Sequence, residues 1–207
     1  MEGELGPDCI SENPAKTFAD TFLPNLPSRP PVLCTGCSHR EIFKALNVAK
    51  PNFTTGDIGC YTLGASAPLN ALDTCLCMGA SISQAVGIAN QGVEKVVAVI
   101  GDSTFIHSGV PALINAVYNK ANILVMLLDN STTAMTGHQP TASTGESAKG
   151  ESGHKVDLKE LCKACGVDSV VKVNPYKLEE ASINIKEKLE TPGVHVIISE
   201  APCLFVR

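Results

Sequence analysis

Apolar runs bounded by turn residues alternate with amphipathic stretches along most of the chain. Residues 96–100 (VVAVI) and 123–129 (ILVMLLD) are almost wholly apolar, which is typical of strands buried in a parallel sheet. Between them, residues 109–120 predict a helix with Pro111 near its start, where proline is tolerated. Further helices are predicted at residues 39–49, 78–92, 157–165 and 176–190, and further strands within 52–59, 168–173 and 194–199. This alternation predicts an α/β fold with a mostly parallel sheet and helices on both faces.

Two segments lack this periodicity. Residues 1–31 contain six prolines, so we expect a linker or surface arm that precedes one compact domain at residues 32–207. Residues 130–155 form a long polar segment rich in Thr, Ser, Gly and His. Loops of that length in a compact domain are usually functional or mobile, so this segment is a candidate part of a site.

The composition excludes several classes of protein. The longest apolar runs fall far short of the roughly 20 residues that span a bilayer, and the acidic start of the chain is unlike a signal peptide. A net charge of −5 without a Lys/Arg run gives no electrostatic surface for nucleic acid. We therefore expect a cytoplasmic protein with neither a membrane nor a nucleic-acid partner.

Cysteine is the unusual component. The chain has nine cysteines, an odd number, without secretory features, which favours metal or redox chemistry over a disulfide framework. Cys34 and Cys37 form a Cys-x-x-Cys pair, a spacing shared by zinc ribbons, thioredoxin-like sites and iron–sulfur clusters. Free cysteine is also a common small core residue. We interpret Cys75 and Cys77 as core thiols, Cys162 and Cys165 as core or surface thiols, and Cys9 as incidental in the arm.

Polar residues follow two of the predicted strands, at the ends where ligands bind in open parallel sheets. Asp102 follows the strand at 96–100 and Asn130 follows the strand at 123–129, so they lie side by side if these strands are neighbours. A carboxylate and an amide oxygen suit a hard cation such as Mg²⁺, which takes few protein ligands and also binds phosphate oxygens. The alternative is a turn Asp that caps the next helix and an ordinary loop Asn. Diphosphate donors nearby would be Ser103, Gly109, Thr132, Thr133, Thr136 and Gly137.

Several segments together resemble one family. Gly-Asp-Ser followed by an Asn beyond the next strand is similar to the metal–diphosphate signature of thiamine diphosphate enzymes. Residues 77–89 resemble the glycine-rich helix start of the same domain. The chain most resembles the 2-oxoacid:ferredoxin oxidoreductases, and within them the indolepyruvate:ferredoxin oxidoreductase α subunits. The segments that carry this resemblance are residues 29–40, 57–64, 101–109, 115–123 and 128–140.

The resemblance implies a set of site residues. The Asp102 and Asn130 side chains and the Thr132 backbone carbonyl would bind Mg²⁺. Residues near thiamine diphosphate would be Gly79, Gly101, Asp102, Ser103, Asn130, Thr132, Thr136, Gly137, His138 and Gln139. His39 is a candidate catalytic residue, and both His39 and His107 would face the cofactor unless they are ordinary structural histidines.

The resemblance also implies a [4Fe–4S] cluster close to thiamine diphosphate, with Cys34, Cys37, Cys60 and Cys203 as its ligands. Four thiolates is the number that such a cluster requires. The arylpyruvate branch resembles proteins that carry clusters on a ferredoxin-like module at the C-terminus of the same chain. This sequence ends at Arg207 without a Cys-x-x-Cys-x-x-Cys run, so structural or free thiols are the alternative.

The function implied is oxidative decarboxylation of an arylpyruvate, such as indolepyruvate, to acyl-CoA and CO₂, with electrons passing to ferredoxin. Thiamine chemistry needs an activating Glu, which in this family comes from a separate pyrimidine-binding domain that is not visible in the sequence. We therefore expect residues 32–207 to be the diphosphate-side domain of a larger enzyme with partner subunits. Two alternatives stay open: a non-oxidative thiamine-dependent 2-oxo acid decarboxylase, and a non-enzymatic zinc or redox module.

Overall fold

Six parallel strands form the centre of the fold. The computed structural model describes residues 30–206, so the arm expected at residues 1–31 lies outside the described residues except for its last two positions. The strands are β1 (Phe53–Gly56), β2 (Thr74–Cys75), β3 (Val96–Gly101), β4 (Ile123–Asp129), β5 (Ser169–Val173) and β6 (Val194–Glu200). They form one sheet in the order β2-β1-β3-β4-β6-β5, and every neighbouring pair is parallel.

Five helices cover the two faces of the sheet. They are α1 (Ser38–Ala49), α2 (Ser81–Asn90), α3 (Val110–Tyr118), α4 (Leu158–Ala164) and α5 (Leu178–Glu190). Helices α1 and α5 pack on one face, and α2, α3 and α4 pack on the other. The predicted α/β fold, with a parallel sheet and helices on both faces, is confirmed. Among the described residues, no helix combines the length and hydropathy needed to cross a bilayer.

The apolar run of β3 is explained by burial on both sides. Val96, Ala98 and Ile100 belong to the hydrophobic core shared with α2, α3 and α4. Val97 and Val99 belong to the core shared with α1 and α5. Because successive side chains of a strand point to opposite faces, a strand covered on both faces needs apolar residues at every position.

The pairing of β3 with β4 brings the predicted site residues together. The two strands are in register from Val96 opposite Ile123 to Gly101 opposite Leu128, and α3 connects them. Asp102 and Asn130 therefore follow neighbouring strands at the same edge of the sheet. The condition on which the sequence argument depended, that these strands are neighbours, is met.

Several local features differ from the sequence prediction. The helix expected at residues 78–92 begins only at Ser81, because Gly79 has a φ of +83°, in the left-handed region that favours glycine and ends regular helix. The helix expected from residue 109 is preceded by a helical turn (Asp102–Thr104) and a π-helical turn (Phe105–Gly109). The two-residue β2 and the 3₁₀ turn Cys60–Ala65 were not predicted, since neither has a periodic pattern.

Candidate functional site

A cavity of about 400 Å³ lies at the carboxyl edge of the sheet, beside the ends of β3 and β4. We call it the edge cavity. Asp102 and Asn130 are both buried and both line it. The other predicted site residues that line it are His39, Cys60, Gly101, Ser103, His107, Thr132, Thr133, Thr136 and Gln139. The structure thus brings together most of the residues that the sequence pointed to.

The Asp102 carboxylate lies in surroundings that disfavour its negative charge. Burial is the main cause that raises its pKa to about 7, and the neighbouring Asp129 carboxylate raises it further. The Ser103 backbone N–H and the Ser143 hydroxyl, which lies 3.3 Å from Asp102 Oδ2, act in the opposite direction. A cation would offset both the burial and the repulsion. This donor set of carboxylate and Asn130 amide oxygens fits a hard divalent cation.

The polar turn after β4 is held by its own hydrogen bonds. The Thr133 N–H donates to the Gln139 carbonyl at 2.9 Å, and the Gln139 side chain is bonded to Thr136 through both its oxygen (2.6 Å) and its nitrogen (2.7 Å). The Thr133 hydroxyl donates to Ser103 Oγ at 3.1 Å, which ties this turn to the end of β3. Hydroxyl groups from two loops are therefore fixed at the rim of the edge cavity.

Four predicted cofactor residues do not line the edge cavity. Gly109 is the last residue of the π-helical turn Phe105–Gly109. Gly79 follows Met78, which does line it. Gly137 lies at the end of the 3₁₀ turn Ala134–Thr136. His138 lines a second cavity instead, where its ring centroid is 5.7 Å from that of Phe205. Thr136 and Gln139 line the edge cavity, whereas His138 between them does not. Sequence spacing could not predict this difference, because it depends on the turn that the chain makes at Gly137.

Asp57 lines neither cavity but holds the turn beside the edge cavity, and the sequence reasoning did not single it out. Its buried carboxylate accepts hydrogen bonds from the backbone N–H groups of Gly79 (2.7 Å) and Ser81 (3.0 Å), as well as from that of Ile58 (2.8 Å). These bonds fix the turn that carries Met78 and the start of α2. In the sequence, Asp57 stands out only by lying between Gly56 and Gly59, within the stretch 52–59 that was predicted to contain a strand.

Tyr61 and His39 pack together beside Gly101. Their rings are stacked, with centroids 5.9 Å apart and planes inclined by 15°. The Tyr61 hydroxyl donates to the Ile58 carbonyl at 2.8 Å, and burial raises the pKa of its phenol. Burial lowers the pKa of His39 to about 4, so the ring is neutral near pH 7. Its Nδ1 has no hydrogen-bond partner among residues 30–206. A methyl group at Gly101 would lie 2.5 Å from Tyr61 Cε1, which explains the glycine.

A second cavity of about 270 Å³ adjoins the first, and we call it the cysteine cavity. It is lined by Cys34, Cys37, Cys60 and Cys203, the four cysteines that the resemblance singled out. Most of its remaining lining is apolar. The residues that line both cavities are His39, Cys60, Asn130 and Ala134. The two cavities therefore share a wall.

The four thiols of the cysteine cavity influence one another electrostatically. Burial raises the pKa of Cys37, and the nearby Cys34 and Cys203 raise it further. Burial likewise raises the pKa of Cys60, with further increases from Cys37, Cys203 and Cys34. In residues 30–206, no three His, Cys, Asp or Glu side chains surround one point as ligands of a single metal ion do. The thiols instead line a volume larger than one ion.

The remaining cysteines have different positions. Of the two cysteines interpreted as core or surface thiols, Cys162 is fully buried in the core on the α2–α4 face, and Cys165 is half-buried against the same core. Cys77 is exposed and Cys75 only half-buried, so the prediction of core thiols for this pair is wrong. Both lie at or just after the short edge strand β2, which is too small to cover them. Cys9 lies outside the described residues.

Relatives of the chain include subunits of two different enzymes. It is 46% identical over 185 residues to the indolepyruvate oxidoreductase subunit IorA of Archaeoglobus fulgidus, which covers 86% of this chain and 29% of the relative. It is 32% identical over 172 residues to the sulfopyruvate decarboxylase subunit beta of Methanococcus maripaludis, which covers 82% of this chain and 75% of the relative. The chain thus spans less than a third of the length of the indolepyruvate oxidoreductase subunit.

A solved structure and a family match agree with the observed fold. A 2-oxoglutarate:ferredoxin oxidoreductase from Magnetococcus marinus superposes with a TM-score of 0.75 at 18% identity, covering 86% of this chain and 66% of that one. At that identity the likeness concerns the fold alone. Residues 57–199 match the family described as thiamine pyrophosphate enzyme, C-terminal TPP binding domain. The match runs from Asp57 to the end of the sheet and includes Asp102 and Asn130, and the chain belongs to this family of thiamine pyrophosphate-binding domains.

Proposed function

We propose that residues 32–207 form the thiamine diphosphate-binding domain of a 2-oxoacid:ferredoxin oxidoreductase. The complete enzyme would oxidatively decarboxylate an arylpyruvate, such as indolepyruvate, to acyl-CoA and CO₂ and pass the electrons to ferredoxin. The observation that carries this proposal is the shared wall between the edge cavity, with its buried Asp102, and the cysteine cavity. The 46% identity to the Archaeoglobus fulgidus subunit supports indolepyruvate as the substrate class.

The edge cavity fits the diphosphate end of the cofactor with Mg²⁺. Asp102, Asn130 and the Thr132 carbonyl would hold the cation, which would offset the charge repulsion between Asp102 and Asp129. The Ser103 and Thr133 hydroxyl groups, already 3.1 Å apart, are available to phosphate oxygens at the same edge. When bound, thiamine diphosphate supplies the electron sink for decarboxylation, and the chain supplies positioning.

The cysteine cavity fits a [4Fe–4S] cluster by its donor set. Cys34, Cys37, Cys60 and Cys203 provide the four thiols that such a cluster takes, and most of the remaining lining is apolar. The raised pKa values of Cys37 and Cys60 mean that the free thiols hold their protons, so a positively charged group is needed to stabilise four thiolates there. Cys60 lines both cavities, so one ligand of the cluster would also border the cofactor.

Other parts of the reaction require partners. Activation of the cofactor needs a carboxylate from a pyrimidine-binding domain, and turnover needs the 2-oxo acid, coenzyme A and ferredoxin. His39 is a candidate to contact the bound cofactor, because it lines the edge cavity and is neutral. We expect the 207-residue chain alone to bind the cofactor through its diphosphate and not to turn over.

Calorimetry with thiamine diphosphate and Mg²⁺ tests the edge cavity. We expect Asp102→Asn to weaken binding by about tenfold or more, as expected for loss of a charged group that contacts the ligand. Asp157→Asn is the matched control, because this exposed carboxylate caps α4 and lies outside both cavities. Equal binding by the wild type and Asp102→Asn would show that the cation site is wrong.

Anaerobic reconstitution with iron and sulfide tests the cysteine cavity. A brown protein with about four irons per chain is expected, with loss of the absorption in Cys203→Ser and not in the exposed Cys77→Ser. A colourless protein that binds zinc would favour the zinc or redox module.

A second candidate function is non-oxidative decarboxylation of a 2-oxo acid. It is favoured by one observation, the similarity to the sulfopyruvate decarboxylase beta subunit over 75% of that relative. This function needs the edge cavity and does not need a cluster. A chain that binds thiamine diphosphate through Asp102 but takes up neither iron nor zinc would support it against the oxidoreductase.

A further inference from the structure

Ser143 connects the long polar segment after β4 to the candidate cation ligand. It lies 41 residues after Asp102, yet its hydroxyl donates to Asp102 Oδ2 at 3.3 Å, and the side chain is buried. It does not line the edge cavity. Ser143 therefore contacts the Asp102 carboxylate from outside the edge cavity.

A second hydroxyl extends this contact. Thr141, also buried, has its Oγ1 2.6 Å from Ser143 Oγ, and it accepts a hydrogen bond from the Ser143 N–H at 3.2 Å. A hydroxyl has one proton to donate. If Ser143 donates to Asp102, then Thr141 must donate to Ser143. The result is a chain of two hydroxyl groups that ends on the carboxylate.

The segment that carries this chain is anchored at both ends. The Thr144 hydroxyl donates to the Thr141 carbonyl at 2.7 Å, and the Val156 N–H donates to the Ala142 carbonyl at 2.9 Å, next to the start of α4. Ser143 thus has a fixed position in the structure. A donor in a fixed position can hold one carboxylate oxygen and thereby fix the orientation of the Asp102 side chain.

Such a donor is needed because of what else surrounds Asp102. The Asp129 carboxylate is close enough to repel it, and the backbone N–H of Ser103 is its other favourable partner. Without the Ser143 hydroxyl, the Asp102 side chain would be free to rotate away from Asp129. That rotation would remove a ligand from a divalent cation.

We propose that Ser143 is a positioning residue of the cation site, which orients the Asp102 carboxylate through the Thr141–Ser143 hydroxyl chain. This inference rests on the proposed function, since it takes Asp102 as the Mg²⁺ ligand. Its consequence is specific: loss of the hydroxyl lowers the affinity for Mg²⁺, and it lowers the affinity for thiamine diphosphate only through Mg²⁺. The residue touches neither cofactor nor substrate.

The test measures thiamine diphosphate binding to the 207-residue chain by calorimetry, over a series of Mg²⁺ concentrations. For Ser143→Ala we expect the Mg²⁺ concentration that gives half-maximal affinity to rise by about tenfold, as for loss of a hydrogen bond to a charged group. Saturating Mg²⁺ should restore wild-type affinity, because the two ligands are linked. Ser143→Thr, which keeps the hydroxyl, should need less Mg²⁺ than Ser143→Ala.

Ser147→Ala is the matched control. Its hydroxyl accepts hydrogen bonds from backbone N–H groups of its own turn, those of Lys149 and Glu151, and it lies outside the lining of both cavities. This variant should bind as the wild type does.

Two results would overturn the positioning role. One is unchanged binding by Ser143→Ala at every Mg²⁺ concentration, and the other is a loss that saturating Mg²⁺ does not restore, as expected of general disruption. Failure of the proposed function gives a different result, in which Asp102→Asn itself binds as tightly as the wild type.

Discussion

The Gly79 N–H donates a 2.7 Å hydrogen bond to Asp57 Oδ1 across 22 residues of sequence. The other carboxylate oxygen accepts from the Ser81 N–H at 3.0 Å. One buried side chain therefore sets both the turn beside the edge cavity and the first residue of α2. Buried backbone N–H groups without a partner are costly, so this carboxylate is needed for the local structure.

Replacement of Asp57 tests this anchoring. Asp57→Ala leaves the N–H groups of Gly79 and Ser81 without their acceptor, and we expect the free energy of unfolding to fall by about 2–4 kcal/mol. Asp57→Asn keeps one acceptor oxygen and should lose less. Urea unfolding gives both values. Wild-type stability in Asp57→Ala would contradict the role of this side chain.

Gly101 is expected to tolerate no side chain while Tyr61 is present. A methyl group at this position would lie 2.5 Å from Tyr61 Cε1, and we expect Gly101→Ala to lower the free energy of unfolding by about 1–3 kcal/mol. In a double-mutant cycle, Tyr61→Leu should reduce the cost of Gly101→Ala, because it removes the ring edge. Tyr61→Phe keeps the ring and should not. Equal costs of Gly101→Ala in all three backgrounds would exclude the clash.

The cysteines should differ in reactivity according to burial. Burial, with a smaller effect of Cys165, raises the pKa of Cys162 to about 12, and its side chain is inaccessible. Cys77 is exposed. Because the thiolate is the nucleophile, alkylation of the folded metal-free chain near neutral pH should label Cys77 and leave Cys162 unlabelled until denaturant is added. Mass spectrometry of peptides measures this, and labelling of Cys162 at the rate of Cys77 would be the contrary outcome.

Asp157 should give α4 a pH-dependent stability. Its side chain accepts hydrogen bonds from the N–H groups of Glu160 (3.1 Å) and Lys159 (2.8 Å), and these bonds lower its pKa below 3.8. Because the pKa is lowered in the folded chain, Asp157 takes up a proton at a higher pH in the unfolded chain than in the folded one. The stabilisation is therefore present above the ordinary pKa and is lost as the pH falls through the lowered value.

The measurement compares unfolding of the wild type and Asp157→Asn in urea across this range. Asn accepts the same bonds without titrating, so the stability advantage of the wild type should shrink in acid. A difference that stays constant with pH would mean that the carboxylate charge has no part in the cap.

The central strands and their connection could be predicted from the sequence because the pattern there is local. Runs such as residues 96–100 and 123–129 need cover on both faces, which only a parallel sheet between helices provides. Asp102 and Asn130 could then be placed at one edge by counting from the strand ends. The contacts of Asp57 and Ser143 could not, since their partners lie 22 to 41 residues away along the chain. Cys77 was misplaced because burial at a sheet edge depends on what covers it.

The wall between the two cavities determines how variants of this domain can be interpreted. A substitution at His39, Cys60, Asn130 or Ala134 changes the lining of both cavities at once. Effects measured at these four positions therefore cannot be assigned to one site. Residues that line a single cavity separate them, such as Ser103 for the edge cavity and Cys34 for the cysteine cavity. A library built on those positions could alter one site while the other serves as an internal reference.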